Sequence, residues 1–201
     1  MSKLVVATGN PGKLREFQSL LSPLNIETVS QKSLGITDAD ETGLTFVENA
    51  LIKARAAAVA SGLPALADDS GLCVDALAGA PGIYSARFAG PGADDSANNA
   101  RLLRELLPWR GEAPLTARFV CVLVLVRHAA DPLPLICQGV WEGEVLAEPR
   151  GADGFGYDPL FRPLGMTKSS AELAPEEKNR ISHRGRATHA LLAALGARGG
   201  L

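Results

Sequence analysis

The chain has 201 residues, a formal net charge of −2, 46% hydrophobic residues and 21% charged residues. This length and composition predict one globular domain with a sizeable core, and they exclude a collagen, a coiled coil and a disordered chain. Because the charge is nearly balanced, no global positive field collects nucleic acid, and any anionic ligand must be bound by local cations.

The predicted elements form a mixed α/β pattern without repeats or linkers, so we expect a single domain over residues 1–201. The clearest helix signal is the capping box of Thr45 and Glu48, which precedes an alanine-rich segment closed by Gly62 and Pro64. In chain order the pattern predicts a strand at 4–7, a glycine loop at 8–13, a helix at 14–21, a strand at 26–29, a helix at 46–61, a strand at 64–67, a helix at 95–107, a hairpin of strands at 118–127 and 135–141, an ordered loop at 150–165, short helical pieces at 171–173 and 175–179, and a last helix at 183–195.

The longest apolar run, around residues 119–126, is far shorter than the roughly 18 residues that a membrane helix needs. The sequence shows no signal-peptide pattern, so we expect a cytoplasmic protein without a membrane segment. Cys73, Cys121 and Cys137 are widely spaced in apolar sequence and lack the spacing of a metal site. We expect them to be buried thiols.

The glycine loop at 8–13 joins a strand to a helix whose cap is Asn10 and whose first turn contains Pro11. Backbone amides of such a loop, together with Lys13, favour a phosphate site. It is not a Walker A motif, because Gly9 and Gly12 are too close and no serine or threonine follows the lysine. A plain strand-to-helix turn with a solvated lysine is the alternative.

Asp68 and Asp69 follow a buried strand, in a segment that is expected to turn through residues 68–71. Adjacent strand residues point to opposite faces, so one carboxylate can bind a metal or activate water while the other orients. An Asx turn is the structural alternative. Glu41, beside Asp40, lies in loop sequence and could be exposed to solvent. Lys53 lies on the second predicted helix, where a lone lysine is usually solvated.

Two later segments carry groups suited to binding a ligand. Residues 154–159, of sequence GFGYDP, combine two aromatic rings with a carboxylate and could bind a flat heterocycle or form a packed turn. Residues 178–185 concentrate donors at the start of the last helix, where cations oppose the helix dipole. An anionic or carbonyl-bearing ligand would remove that conflict, although Arg180 and Arg186 could simply be solvated.

Six segments in order, VVATGNPGKLREF, ETGLTFVENALIKA, ALADDSGL, GAPGIYSARF, GFGYDPLF and EEKNRISHRGRA, resemble the inosine/xanthosine triphosphate pyrophosphatases of the HAM1-like or RdgB-like family. The resemblance spans residues 3–190. It implies an elongated, two-lobed α/β fold around a central mixed sheet with flanking helices, an active site in the cleft between the lobes, and a homodimer. The segment GAPGIYSAR could shape the cleft or the dimer contact.

The activity implied by the resemblance is hydrolysis of ITP, dITP and XTP to the monophosphate and pyrophosphate with Mg²⁺, by attack of water at the α-phosphorus. Magnesium prefers carboxylate and phosphate oxygens, and lysines would offset charge on the phosphates. The implied partners are a purine nucleotide and a second copy of the chain, with no nucleic acid and no membrane. The rivals are a Maf-like pyrophosphatase for modified pyrimidine nucleotides, a nucleotide sensor without catalysis, and a nucleic-acid binder.

The resemblance also implies roles for individual residues. The catalytic set is Asp69 as proton acceptor, with Lys13 and Lys53, and the metal set is Glu41, Asp69 and Asp68. The substrate-binding set is Thr8, Gly9, Asn10, Pro11, Gly12, Lys13, Ser70, Phe155, Gly156, Tyr157, Asp158, Lys178, His183 and Arg184. We further expect donors near His183 and Arg184 to select a 6-oxo purine over adenine, because unpaired buried polar groups penalise the wrong base.

Overall fold

The computed structural model describes residues 3–22, 26–111, 113–198 and 200. Its α-helices are α1 (Pro11–Leu21), α2 (Phe46–Ser61), α3 (Asp95–Glu105), α4 (Pro175–Ile181) and α5 (His183–Arg198). Its strands are β1 (Lys3–Ala7), β2 (Glu27–Ser30), β3 (Ala65–Val74), β4 (Leu115–Val126), β5 (Leu135–Val145) and β6 (Phe161–Pro163).

The strands form one six-stranded mixed sheet in the order β2-β1-β3-β4-β5-β6. β1 runs parallel to both β2 and β3, with Val5 opposite Val29 and Val6 opposite Leu66. β5 and β6 are antiparallel, with Val145 opposite Phe161. The predicted α/β class with a central mixed sheet and flanking helices is therefore confirmed.

The chain divides into two compact units, each with its own core. The first unit comprises Met1–Asp69, Cys121–Gly139 and Arg184–Leu201, and the second comprises Ser70–Val120 and Val140–His183. The prediction of a single domain over residues 1–201 stays a prediction.

The first unit buries apolar strand residues against two helices. Leu66 and Leu123 of the sheet pack in one cluster with Phe17 of α1 and Leu191 of α5. α2 buries Ala50, Ala54 and Ala57, which belong to the alanine-rich segment. Alanine contributes little side-chain volume, so this helix can lie close to its neighbours. The close packing places the polar side chains of α2 near the strand ends.

The second unit has an aromatic core. The Phe161 ring contacts two other aromatic rings. Its centroid lies 4.6 Å from that of Phe119 and 5.3 Å from that of Trp141. Leu102 of α3 and Leu160 belong to the same buried cluster. Such aromatic contacts favour a fixed geometry beyond the burial of area. The core thus supports the irregular segments that surround it.

The structure corrects the predicted end of the third strand. β3 does not end at residue 67 but continues through Asp68 and Asp69 to Val74. The polar run is tolerated inside the strand because both carboxylates find cationic partners. Gly71 is needed there for close approach, since a Cβ at this position would collide with the Gly82 carbonyl and the Ser85 side chain.

Other boundaries also differ from the sequence prediction. α1 begins at Pro11, inside the predicted glycine loop, and β5 continues to Val145 instead of ending at 141. α3 ends at Glu105, and a single 3₁₀ turn, Leu107–Trp109, follows it. The expected loop at 150–165 contains the 3₁₀ turn Asp158–Leu160 and the short strand β6. No local pattern marks β6, because its three residues are specified by pairing with β5 rather than by alternation.

Within the described residues, no helix is long and apolar enough to cross a membrane. Cys121 and Cys137 are buried, as predicted, whereas Cys73 is only half-buried. Residues 79–87, for which the sequence left two roles open, pack inside the second unit. There the hydroxyl of Ser85 accepts a hydrogen bond from Leu72 N at 2.9 Å, and its carbonyl accepts one from the Tyr157 hydroxyl at 2.8 Å.

Candidate active site

The glycine loop is ordered by its own side chains. Asn10 caps α1, and its Oδ1 accepts hydrogen bonds from the amides of Gly12 at 2.8 Å and Lys13 at 3.2 Å. The Thr8 hydroxyl accepts one from the Asn10 amide at 3.2 Å. These contacts confirm the predicted cap and show that two amides of the helix start are already occupied. The charged donor that this loop offers to an anion is therefore the Lys13 ammonium.

Lys13 belongs to a buried ion-pair group that we call the Asp68 cluster, formed by Lys13, Glu16, Asp68 and Arg184. Lys13 Nζ lies 2.8 Å from Asp68 Oδ2, and Arg184 Nη2 lies 3.8 Å from the same oxygen. Arg184 Nη1 also donates to Glu16 Oε2 at 2.5 Å. Asp68 and Arg184 are only 2% and 3% exposed. α1, β3 and α5 thus converge on one buried carboxylate.

A second group, the Asp69 cluster, consists of Glu41, Asn49, Lys53 and Asp69. Lys53 Nζ lies 2.7 Å from Glu41 Oε1 and 3.3 Å from Asp69 Oδ1. Asn49 donates from Nδ2 to Asp69 Oδ2 at 3.3 Å and accepts from the Gly43 amide at 2.8 Å. One lysine therefore joins the loop carboxylate to the strand carboxylate.

The two adjacent carboxylates have opposite protonation tendencies. Burial opposes ionisation of Asp68, but Lys13, Arg184 and Lys53 outweigh it and hold the pKa of Asp68 well below its ordinary value. For Asp69, burial and the nearby Glu41 carboxylate raise the pKa above its ordinary value despite Lys53 and Lys13. Asp68 is therefore a fixed anion, whereas Asp69 binds a proton more readily.

Lys53 remains charged although it is largely buried. Desolvation opposes its charged form, but the carboxylates of Asp68, Asp69 and Glu41 outweigh that cost and raise the pKa of Lys53. A lone lysine on a helix is usually solvated on an exposed face, and this alternative is wrong for Lys53. Its company of carboxylates distinguishes it from an ordinary surface lysine.

The predicted separation of Asp68 and Asp69 is confirmed, because each carboxylate has its own set of partners. The predicted metal set of Glu41, Asp69 and Asp68 is not assembled in one place. Among the residues that the structure describes, no group of three or more His, Cys, Asp or Glu side chains is arranged to hold a metal ion. Glu41 and Asp69 both form an ion pair with Lys53, whose charge also acts on Asp68.

Asn49 is a site residue that the sequence reasoning did not single out. It lies four residues before Lys53 on α2, a spacing that puts both side chains on one helix face toward Asp69. That i, i+4 relation to Lys53 was the available signal. A buried asparagine with both ends hydrogen-bonded fixes the Asp69 carboxylate relative to the turn at Gly43.

Phe155 and Lys178, two further predicted site residues of the second unit, contact Asp158. The buried Asp158 carboxylate accepts hydrogen bonds from Phe155 N at 2.8 Å, Ser170 Oγ at 2.7 Å and Lys178 Nζ at 2.5 Å. Lys178 Nζ also lies 5.3 Å from the centroid of the Phe155 ring. Phe155 is half-buried, so part of its ring can meet a ligand.

His183 belongs to the aromatic core of the second unit. Its imidazole stacks on Phe119 with the ring centroids 4.7 Å apart and lies 6.4 Å from the ring of Trp141. Tyr157 is also buried there, and burial, largest among the causes, raises the pKa of its hydroxyl. Tyr157 is therefore chiefly a core residue, whereas Phe155 and Lys178 retain exposed surface.

The structure does not bring all the predicted base-binding residues together in the Asp158 group. His183 and Arg184 are consecutive, yet the Arg184 guanidinium contacts Glu16 and Asp68 in the first unit. Ser70 is half-buried on β3, next to Asp69. The six loop residues Thr8 to Lys13 all lie at the junction of β1 and α1.

A mixed α/β sheet, a capped glycine loop with a half-buried lysine, and lysine-linked carboxylates define a protein that binds a phosphorylated ligand. The chain belongs to the Ham1 family, whose model matches residues 4–194.

Curated relatives in this family are named dITP/XTP pyrophosphatase. The one from Acinetobacter baumannii strain ACICU is 60% identical over 188 residues, which span 92% of this chain and 90% of that protein. The one from Escherichia coli O157:H7 is 56% identical over 195 residues, which span 97% and 98%. A solved HAM1 protein from Coxiella burnetii matches with a TM-score of 0.92 and 49% identity, covering 98% of this chain and all of that one.

Proposed function

We propose that this chain is a pyrophosphatase that hydrolyses dITP, ITP and XTP to the nucleoside monophosphate and pyrophosphate. The observation that carries the proposal is the Asp69 cluster, in which one lysine links a loop carboxylate to a strand carboxylate of raised pKa. The names of the curated relatives support the same substrates. By removing non-canonical purine nucleotides, the enzyme would cleanse the nucleotide pool.

We assign the triphosphate to the loop of Thr8, Gly9, Asn10, Pro11, Gly12 and Lys13. The Lys13 ammonium is partly exposed, and Asp68 holds it in place. Its positive charge would offset the charge that develops on the pyrophosphate leaving group. Arg184 supports this arrangement because it neutralises Asp68 from the other side. The Asp68 cluster thus serves as a positioning device for Lys13.

We assign the base to Phe155, Asp158, Lys178 and His183. The exposed part of the Phe155 ring suits stacking on a purine, and Lys178 provides a donor that Asp158 orients. Gly156 and Tyr157 shape the same loop, and Ser70 stays in the proposed substrate-binding set. A 6-oxo purine presents an acceptor where adenine presents an amino group, so oriented donors favour the former.

The charges in the first unit favour a divalent cation. The Asp68 and Asp69 clusters contain three cationic and four carboxylate side chains, so a triphosphate meets no net positive charge there. Glu41 and Asp69 offer carboxylate oxygens, the ligands that Mg²⁺ prefers, and they would hold the ion. When bound, Mg²⁺ would neutralise phosphate oxygens. The carboxylate of Asp68, already paired with two cations, is not part of this proposed ligand pair.

Asp69 is the proposed proton acceptor for the attacking water. Asn49 holds Oδ2 and Lys53 contacts Oδ1, so the carboxylate has a fixed orientation. Its raised pKa makes it a better base than an ordinary aspartate. Deprotonated water attacks the α-phosphorus, and the bond to the bridging oxygen of pyrophosphate breaks. No covalent enzyme intermediate is needed.

The proposal extends to the setting of the enzyme. We expect a homodimer and action in the cytoplasm, where nucleoside triphosphates are used. Equilibrium sedimentation of the purified chain tests the first expectation, and a mass near that of one chain would contradict it.

The experiment that tests the function is hydrolysis of ITP, dITP, XTP, GTP, ATP and modified pyrimidine triphosphates with Mg²⁺, with pyrophosphate separated from phosphate. We expect rapid release of pyrophosphate from ITP, dITP and XTP only. Preference for modified pyrimidines would favour a Maf-like enzyme. Tight binding without turnover would indicate a sensor, and phosphate as the direct product would mean cleavage of a different bond.

The Asp69→Asn variant tests the chemistry separately from binding. An amide keeps the shape of the carboxylate but accepts no proton, so we expect turnover to fall below detection while ITP binding persists. Asp40→Asn is the matched control, because Asp40 is an exposed loop residue beside Glu41. Turnover of Asp69→Asn near that of the control would exclude Asp69 as the base.

A further inference from the structure

The backbone of Gly156, in the proposed base-binding loop, is held on both of its polar atoms by two side chains of one helix. The Gly156 amide donates to Asp95 Oδ2 at 2.6 Å, and the Gly156 carbonyl accepts from Asn99 Nδ2 at 2.8 Å. Asp95 and Asn99 are four residues apart on α3, which places them on one face of the helix. α3 is therefore hydrogen-bonded to both backbone polar atoms of one loop residue.

The orientation of the Asn99 amide follows from its partners. Nδ2 faces two acceptors, the carbonyl oxygens of Gly156 and Asp95, each at 2.8 Å. A flipped amide would place oxygen against oxygen, so the observed orientation is the one that hydrogen bonding allows. Asn99 Oδ1 is buried and accepts no hydrogen bond from the described part of the chain. The Asn99 side chain thus holds Gly156 through Nδ2, while its Oδ1 lacks a hydrogen bond from the described residues.

On this side of the loop, open space adjoins the two hydrogen bonds between α3 and Gly156. A cavity of about 430 Å³ lies beside the loop, lined by Asp95, Asn99 and Leu103 of α3 and by Gly154 and Phe155 among others. Where side chains leave open space, a loop is positioned by its hydrogen bonds. The hydrogen bond that Asp95 accepts and the one that Asn99 donates therefore restrain this side of the loop.

The conformation of Gly156 makes the loop sensitive to such a restraint. Its φ of 63° is in the left-handed region, which glycine reaches without steric cost but does not prefer over other regions. On the other side of the loop, Asp158 holds the Phe155 amide at 2.8 Å. The backbone of Phe155 is thus fixed between an anchor at its own amide and an anchor at the next residue, which together set the position from which its ring projects.

We propose that Asp95 and Asn99 are positioning residues for base recognition: by holding Gly156 they orient the Phe155 ring toward the purine. This inference rests on the proposed function, because it concerns the loop to which the base is assigned. Neither residue touches the reacting phosphates in this scheme. Their loss weakens binding of the base and leaves the chemical step unchanged.

The test compares Asp95→Ala, Asn99→Ala and Asp95→Asn with the wild-type enzyme. Loss of one hydrogen bond of about 1 kcal/mol corresponds to a roughly fivefold change, so we expect each alanine variant to raise KM for ITP about fivefold with kcat unchanged within twofold. Asp95→Asn keeps an acceptor oxygen for the Gly156 amide and should restore KM to within about twofold of wild type, since the acceptor is retained.

Asp94→Ala is the matched control. Asp94 caps α3 through a hydrogen bond from Ala97 N at 2.7 Å but does not contact Gly156. This variant should lower the thermal midpoint of unfolding without changing KM. If Asp94→Ala instead raised KM as much as Asp95→Ala, the effect of Asp95 would be explained by the stability of α3 alone. Asp95 is exposed, so its alanine variant decides the matter alone if Asn99→Ala does not fold.

Amide hydrogen exchange of residues 155–157 in the ligand-free protein separates the two proposals. We expect faster exchange in Asp95→Ala than in wild type or Asp94→Ala, because the Gly156 amide loses its acceptor. Unchanged exchange would overturn the positioning role whatever the activity. Wild-type protein that hydrolyses ITP together with unchanged KM in both alanine variants would overturn it while leaving the proposed function intact.

Discussion

The proposed phosphate-binding region of the first unit and the proposed base-binding loop of the second unit are built in different ways. In the first unit, the charged residues of the Asp68 and Asp69 clusters come mostly from regular elements, and side chain meets side chain. In the second unit, the proposed base-binding loop is irregular, and its backbone is held by the side chains of Asp158 in the loop itself and of Asp95 and Asn99 on α3. Charge on rigid elements suits phosphate chemistry, while a held loop allows the base preference to change with few substitutions.

The two regions also differ in how strongly their buried charges affect the stability of the fold. The Asp68 cluster buries an aspartate and an arginine whose charges depend on each other. Removing one partner of such a pair is strongly destabilising, because the other charge stays buried. The Asp158 group is centred on one buried carboxylate, but its lysine partner is half-buried. We therefore expect substitutions in the first unit to affect chemistry or stability most, and those in the second to affect substrate affinity.

Among the variants that test this comparison, the largest effect is expected for Lys53→Met. This substitution removes the ammonium that links Glu41 and Asp69, so two carboxylates face each other without a cation. Preorganised charge of this kind is worth about 10²–10³-fold in kcat, and we expect a loss of that size in pyrophosphate release from ITP. Lys3→Met is the control, because Lys3 forms only an exposed pair with Glu27. A loss below tenfold would contradict the role of Lys53.

The next effect is on stability, in Arg184→Met. Methionine fills much of the space of arginine but leaves Glu16 and Asp68 without their shared partner. Breaking a buried pair costs about 3–5 kcal/mol, and Lys13 still compensates Asp68, so we expect a fall of about 3 kcal/mol in the free energy of unfolding by urea. Arg15→Met, at an exposed position of α1, should change it by less than about 0.5 kcal/mol.

The sequence predicted the first unit's elements better than its contacts. Asn10, Thr45 and Glu48 act as caps as expected, because capping depends on residues close in the chain. The partners of Arg184 were not foreseen, since Glu16 lies 168 residues away and no local pattern joins them. The opposite orientation of Asp68 and Asp69 was predictable, because successive residues of a strand point to opposite faces.

In the second unit the aromatic and charged residues of the base-binding loop were identified, but not what holds them. Asp95 and Asn99 read as ordinary residues at the start of a helix, and their partner Gly156 is 61 and 57 residues away. β6 was missed for the same reason, since its pairing with β5 is tertiary. Sequence reasoning thus proposed the candidate residues, while long-range contacts determine how they are held.

The third prediction concerns affinity, in Asp158→Asn. The amide can still accept the hydrogen bond of Phe155 N but no longer carries the charge that holds Lys178. A hydrogen bond to a charged group is worth about 1.5–3 kcal/mol, so we expect KM for ITP to rise about tenfold, with a smaller change in kcat. A tenfold fall in kcat at constant KM would instead place Asp158 in the chemical step.

The smallest effect is expected for Asp131→Asn, in a turn that a single carboxylate organises as Asp158 organises its loop. Asp131 accepts hydrogen bonds from the amides of Arg127 at 2.9 Å and Leu133 at 3.0 Å, and it pairs with the exposed Arg127 guanidinium. No residue of this turn belongs to the proposed site. We expect a loss of about 1 kcal/mol in unfolding free energy at pH 7, with KM and kcat unchanged.

The pH dependence of this loss distinguishes charge from shape. The Arg127 side chain and the two amides hold the pKa of Asp131 below its ordinary value, so its charged form stabilises the folded state above that value. The difference between wild type and Asp131→Asn should stay constant from about pH 7 to pH 5 and shrink as the pH falls below about 4, because the aspartate of the unfolded chain then binds a proton while folded Asp131 stays ionised. A difference that persists unchanged to pH 2 would mean that the turn depends on hydrogen-bond geometry alone. That result would show that the Asp131 carboxylate organises its turn by accepting hydrogen bonds, whether or not it is charged. The rise in KM expected for Asp158→Asn would then have to come from the loss of its ion pair with Lys178.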